Sequence, residues 1–560
     1  MVRIFDKQIT NQPSPGWHGT PWLHILAAAL VLTALNAIKP VHIDDFMYLS
    51  YGAEFAAHPL DPYAFRFGSP YLLPANVTVA VPPVVPYWLG AEIALFGDHP
   101  ILLKCGLLPF ALLLAWAVDF LAARLASSLR VSVVWFSLMS PTVLPGFNMM
   151  FDVPMLALGL AALAVVIRST ETNSYALVLL AGLLAALAIQ TKYTGLIECA
   201  AVVAWCVLRK RPTQGLIVAA IALALVVAWE WWIARTQGDS HFLVQFRLYK
   251  GHTVSRAVHI ALPLVSQAAG LAPGIALLGM VALGWKHRSI LIAGLTIVVG
   301  LAVLAVIPSE TALLTAASGR PILTPTNLVY AVQAVIVWGV LGLVCIRLAR
   351  REDPDASEKQ LTWFLLVWLA LELGGYFALS PHPAARRLNG LVLVFTFLSA
   401  RLAYLEGIRP RFVSKLCACG VALALLFYIT DWHEARAGQL AAHETAKRST
   451  LLAEGGTFWH LGWWGFGYYG EREGMRPLQL NRHAPRPGDL LAVLDVLAFR
   501  RYLANQRAID LEPIETVVVR DAFPLRTVPG YYAGRTPLDH QSNGRSPVII
   551  YRITAAVPGL

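Results

Sequence analysis

Apolar residues in this chain come in blocks, not stripes. From residue 22 to about 430, long apolar stretches alternate with short polar links, and a helix needs about 20 such residues to cross the hydrocarbon core, fewer where neighbours cover it. By that measure the pattern predicts about thirteen membrane-spanning helices, near 22–39, 100–126, 131–148, 153–168, 174–190, 195–209, 214–234, 258–284, 289–308, 327–347, 361–379, 388–407 and 413–430. The first is read as a span, since its apolar stretch is too long for a cleavable leader and no small-residue cleavage motif precedes His42. After 430 the pattern changes. Leu490–Leu494, the run 516–519 and the run 548–551 are short β-type stretches set between Pro and Gly turns, which predicts a small mixed α/β region. The expected organisation is a transmembrane part over 1–430 with a large first external loop at 40–99, followed by an external domain over 431–560.

Composition agrees with the pattern. With 57% hydrophobic and 14% charged residues and a mean hydropathy of +0.60, the chain is far too apolar for a soluble protein. The net charge of +11 does not point to nucleic acid, because the basic residues form short clusters between apolar blocks, where they set topology. The six cysteines lie in or beside apolar stretches with no CxxC spacing, so neither a disulfide framework nor a zinc site is expected. If Arg3 and Lys7 mark a cytoplasmic N-terminus, every second link must be cytoplasmic, and those links carry Arg124 and Arg130, Arg168, Arg209-Lys210-Arg211, Lys286 and Arg288, Arg347 to Lys359, and Arg409 to Lys415. An odd number of spans then puts the first loop and the C-terminal region outside. Arg235, Arg247, Lys250 and Arg256 break the bias, and their long amphipathic link is read as lying along the membrane surface.

The candidate chemistry is concentrated on that outer side. His42-Ile43-Asp44-Asp45-Phe46 places two adjacent carboxylates where the first helix leaves the bilayer, followed by aromatic residues at near-helical spacing. One carboxylate suffices as a helix cap, and a second is costly beside lipid unless it has work to do. Such a group suits a general base that deprotonates an acceptor hydroxyl, and an inverting sugar transfer needs one on the face opposite the leaving group. If that leaving group is a lipid phosphate, cations must meet it. Arg386 and Arg387, in the link after the eleventh predicted span, run against the positive-inside bias, and an arginine fork matches phosphate. Lys192 stands at the same outer level. Membrane anchoring is the competing explanation for all three cations. Asp152 precedes Val153-Pro154, an arrangement suited to starting a helix, and counts with His42 and Tyr193 as candidate site support. The aromatic and glycine-rich run at 457–471 is read as an interface anchor, with a sugar platform as the alternative.

The acidic pair after the first span, the Pro-rich segment ending in Tyr87-Trp88, Gly97-Asp98, Phe151-Asp152-Val153-Pro154 and Thr191-Lys192-Tyr193 together resemble the GT-C superfamily of membrane glycosyltransferases. The closest likeness is to the bacterial dolichyl-phosphate-mannose protein mannosyltransferase and aminoarabinose lipid A transferase group, over about residues 20 to 400 by the reach of these motifs. The resemblance implies a multi-pass inner-membrane protein with a periplasmic active site, a polyprenyl-phosphate sugar donor, inversion at the anomeric carbon and no nucleotide-sugar cofactor. It also implies that Asp44 or Asp45 matches the family's first-loop catalytic acid and that Arg386 or Arg387 matches its late arginine on the lipid phosphate. Relatives often carry Asp-Glu where this chain has Asp44-Asp45, which leaves the choice between the two open. Some relatives use a divalent metal, and Asp44, Asp45 and Asp152 are the residues that would share one. No motif after 430 names an acceptor, so protein, lipid and glycan all stand. The rival reading is a transporter or flippase for lipid-linked or small solutes, which the lack of two similarly broken halves disfavours. A non-catalytic scaffold would leave the acidic and arginine pairs without work.

Overall fold

A computed structural model describes residues 22–249, 254–307, 324–352, 355–380, 382–452, 456–483, 485–495, 509–532, 536–540 and 545–556. The N-terminal Arg3 and Lys7, and Lys250 in the surface link, lie outside the described residues. The protein is a polytopic helical membrane protein. Among the described residues eight helices are long and apolar enough to cross a bilayer, and a bent pair makes up to nine. Five shorter apolar helices accompany them, Trp22–Ala37, Ser127–Leu138, Tyr175–Thr191 and Tyr193–Leu208 at predicted spans and Val84–Phe96 in the first loop. Every predicted span contains an apolar helix, but two depart from a straight rod. The stretch expected at 131–148 is helical only to Leu138, and the chain from Met139 to Phe151 then turns through the protein interior, buried throughout. The stretch at 258–284 is broken into Ile260–Leu271 and Pro273–Ala282, which meet at 73°, because Pro273 has no N–H to continue the first ladder. In Pro212–Gln237 and Pro325–Ala349 proline stands at the first turn, where its missing donor removes no helical bond, while Pro263 lies inside the helix Val254–Leu271.

The first loop folds back over the bundle. Its Pro-rich segment leads into the helix Val84–Phe96, which packs on the helix Asp45–Ala57 so closely that a Cβ at Gly90 would lie 2.7 Å from the Gly52 carbonyl oxygen. The helix Pro410–Leu452 continues beyond 430 for six further turns. After it comes a five-stranded sheet, in the order Arg476–Pro477, Phe458–Leu461, Leu490–Leu494, Arg545–Ala556, Ile509–Val519. The first two pairings are parallel and the last two antiparallel. All three β-type stretches read from the sequence lie in this sheet.

The aromatic run is used inside the protein. In the helix Trp464–Arg472, Tyr468 is buried and meets Phe46 edge-on at 6.4 Å, and the Tyr469 hydroxyl accepts the Val41 N–H at 3.0 Å. Arg472 donates to Asp98 at 2.6 Å. These contacts clamp the C-terminal region onto both ends of the first loop.

Candidate active site

The two adjacent aspartates have separate surroundings. Asp45 opens the helix Asp45–Ala57 and is fully buried. Its Oδ2 accepts the His42 N–H at 3.1 Å and its Oδ1 accepts the Met149 N–H at 3.0 Å, with Lys104 Nζ 3.4 Å away. Asp44 occupies the N-cap position but makes no capping hydrogen bond. Its side chain, about one-fifth exposed, turns instead to Arg386, whose two terminal nitrogens both donate to Oδ2 at 3.1 Å. Asp45 closes the turn before the helix by accepting the His42 N–H, and Asp44, free of any capping role, faces a cavity.

Asp44 lies on the wall of a cavity of about 460 Å³ that also contains Asp152, Lys192, Tyr193, His382, Arg386 and Arg387. Asp45 and His42 are not on that wall. Each cation stands where the regular helix is interrupted. Lys192 follows the C-terminus of Tyr175–Thr191 in extended conformation, while Arg386 and Arg387 sit in a 3-10 turn, Ala385–Leu388, that starts the next span. Lys192 Nζ donates to Asp152, the first residue of its own span. Arg386 is 8% exposed, and its buried Nε has no hydrogen-bond partner among the described residues, the Asp152 carboxylate being 4.0 Å away. A buried donor without a partner costs about 1–3 kcal/mol, and this nitrogen is left unsatisfied. Burial first, with Arg387 and Arg386 adding, pulls the Lys192 ammonium down to about 8 against the opposing attraction of Asp152. The Arg387 charge first, then burial, holds His382 well below the usual imidazole range, so it stands in the site as a neutral ring.

Tyr193 contributes differently from its neighbours. Its hydroxyl lies 2.8 Å from Glu230 Oε1 and 2.7 Å from His241 Nδ1, and His241 Nε2 is 2.6 Å from the Val79 carbonyl oxygen. This chain fastens the helix His241–Tyr249 across the first loop, and Phe242, Gln245 and Phe246 of that helix close one side of the cavity. On the outside of the same helix Leu243 and Leu248 are exposed, in keeping with a segment lying at the membrane surface. Asp44, Asp45 and Asp152 do not converge on one point, since Asp45 is engaged by backbone N–H groups and Lys104. Among the described residues no three His, Cys, Asp or Glu side chains are grouped to hold a metal ion.

His42 belongs to a second polar cluster behind the cavity. Its Nε2 is 3.4 Å from Asp431 Oδ1, and Asp431 also accepts from Lys39 at 2.8 Å, Thr527 at 2.9 Å and Tyr532 at 3.0 Å. The Tyr532 ring in turn lies 5.7 Å from the Arg386 guanidinium, a cation–π distance. Lys39, Lys104, Asp431 and Tyr532 were not legible as a group, because each is a single polar residue in an apolar or turn context. The one available signal was a pair of lysines inside spans or at their ends, on the side the sequence pattern reads as external, where the positive-inside bias disfavours them.

No family model and no curated protein matches the sequence. The chain is similar at low identity to several solved structures. One is ArnT from Cupriavidus metallidurans bound to undecaprenyl phosphate, at 15% identity over 97% of this chain and 100% of that one, with a TM-score of 0.42. Another is the arabinofuranosyltransferase AftD from Mycobacteria, at 14% identity over 95% of this chain and 40% of that one, TM-score 0.41. A third is the arabinosyltransferase EmbB from Mycobacterium smegmatis, at 14% identity over 69% of this chain and 44% of that one, TM-score 0.33.

Proposed function

We propose that this protein is an inverting glycosyltransferase that moves a sugar from a polyprenyl phosphate to an acceptor on the periplasmic face of a bacterial inner membrane. The observation that carries the reading is the Asp44–Arg386 pair on the wall of a 460 Å³ cavity, with Lys192 and Arg387 beside it. A carboxylate for the acceptor and three cations for an anionic leaving group share one space. In the resting state Arg386 occupies Asp44. An arriving donor phosphate competes for the guanidinium fork, which is better matched to it than to a single carboxylate oxygen, and so releases Asp44 to take the acceptor proton. The acceptor oxygen then attacks the anomeric carbon as the bond to the phosphate oxygen breaks. Arg386, Arg387 and Lys192 meet the charge that develops on the phosphate. Asp152 orients Lys192, and Asp45 fixes the backbone from which Asp44 projects.

The test is mass spectrometry of polyprenyl-phosphate sugars incubated with membranes containing the wild type or Asp44→Asn, with acceptor-containing lysate present. Release of polyprenyl phosphate by the wild type and not by the variant is the expected result. No release from either, across several sugars, would shift the reading to a transporter of lipid-linked solutes.

A further inference from the structure

Directly beneath the three cations is a second, smaller cavity of about 30 Å³, large enough for a water molecule. It shares Asp152, Lys192, Arg386 and Arg387 with the main cavity, and its floor holds Glu198 and Glu372. These two carboxyl groups come from different helices, Leu196–Leu208 and Ala356–Leu379, and are 4% and 6% exposed. Their backing is built to admit them. A Cβ at Gly390 would lie 2.2 Å from Glu372 Oε2, and a Cβ at Gly159 would lie 2.6 Å from Glu198 Cγ. Glu372 accepts one hydrogen bond from Trp368 at 3.0 Å, whereas Glu198 Oε2 has no hydrogen-bond partner among the described residues. Asn389, 4% exposed, lines the same cavity, and neither its side-chain oxygen nor its nitrogen has a hydrogen-bond partner among the described residues.

We propose that Glu198 and Glu372, with Asn389 and cavity water, form a proton-holding site coupled to the phosphate site above. This rests on the reading of the main cavity as a lipid-phosphate site. The argument is one of charge. With both glutamates ionised, the carboxylates of Asp44, Asp152, Glu198 and Glu372 would outnumber the three cations, and an anionic phosphate would meet a net negative site. With one proton on the pair, three carboxylates face three cations and the site is neutral, so the phosphate no longer meets a net negative charge. Two carboxylates sharing one buried cavity also repel each other, which raises the proton affinity of the pair, and a bound phosphate above them raises it further. Phosphate binding and proton binding therefore favour one another, and by linkage each raises the affinity for the other. The need is greatest after transfer, when the leaving lipid phosphate monoester carries one more negative charge than the donor diester did.

The test measures proton uptake when undecaprenyl phosphate is added to the purified full chain in detergent, in weak buffer with an indicator dye, at a pH where the free monoester is already dianionic. Lys192 takes up part of a proton in every variant, so the informative quantity is the difference between variants. The wild type is expected to take up about one proton more per bound lipid than Glu198→Gln/Glu372→Gln, which keeps the side-chain shapes. Equal uptake with intact lipid binding would overturn the proton site and leave the phosphate site standing. If undecaprenyl phosphate does not bind the wild type, or binds Arg386→Ala equally well, the phosphate site itself is wrong and the coupling falls with it.

Discussion

Two clusters at the same rim of the bundle are built from the same materials, a pair of aspartates facing a pair of cations, and differ in one respect. Behind the cavity, Lys39 donates to Asp431 at 2.8 Å and to the Pro145 carbonyl at 2.7 Å, and Lys104 donates to the Lys39 and Pro40 carbonyls at 2.7 and 3.1 Å while facing Asp45. Lys39, Lys104, Asp45 and Asp431 are all buried, and both lysines are surrounded by acceptors. In the cavity, Arg386 faces Asp44 and Lys192 faces Asp152, but the space beside them is open and Arg386 Nε lacks a partner. The closed cluster has spent its hydrogen-bonding capacity on the fold, fastening the first loop to the last long helix and, through Thr527 and Tyr532, to the C-terminal region. The open one has capacity left over. Charge type does not distinguish the two clusters; the open space beside one of them does.

The largest test separates the adjacent aspartates. Asp44→Asn is expected to lower turnover by about 10²- to 10⁴-fold, the usual worth of a positioned base, while donor affinity holds or rises because Arg386 loses its competitor. Asp45→Asn should instead lower the melting temperature in detergent more than the turnover of the molecules that remain folded. Near-wild-type turnover in Asp44→Asn would erase the contrast between the clusters. Next in size, Asp431→Asn strands Lys39 in the closed cluster, where breaking a buried pair costs about 3–5 kcal/mol. Its thermal unfolding should shift well below wild type, and an unshifted transition would mean the closed cluster does not hold the fold.

Arg386→Ala is expected to weaken donor binding by about 10- to 100-fold, the range of a lost charge-assisted hydrogen-bonding group. Arg386→Lys should recover only part of that, because the fork is lost; full recovery in a lipid-binding titration would mean that Arg386 acts as a point charge. The smallest effect is in pH. With the Lys192 ammonium pulled down to about 8, affinity for the donor diester, whose own charge is constant, should be highest below that pH and fall as pH rises through it. Lys192→Arg should move the fall to higher pH, since a guanidinium keeps its charge. A pH profile identical in both proteins would remove Lys192 from the phosphate site.

The sequence by itself determined a great deal. Apolar block length decided the membrane class, because the bilayer demands a run of fixed length whatever its neighbours do, and helices occupy each predicted span. Alternation and turn residues located the C-terminal strands for the same local reason. The residues Asp44, Asp152, Lys192, Tyr193, Arg386 and Arg387 were legible as charged or interfacial groups at the ends of apolar blocks, and they meet on one cavity wall. What the sequence could not decide was direction. Asp44 and Asp45 are chemically identical neighbours, and only the turn at Ile43, with its φ of 47°, and the helix that follows send one into the protein and the other into the cavity. His42 likewise looked like a site residue and faces Asp431 instead. The aromatic run at 457–471 carried a composition suited to the lipid interface, yet tertiary packing buried Tyr468 against the first loop. The sequence pattern predicts one span over 258–284, and the structure bends it by 73° at Pro273. Residue type and spacing fix what a segment can do in its own turn of chain; which partner a side chain meets hundreds of residues away depends on the three-dimensional path, and here that path separated the cluster that holds the fold from the one left open.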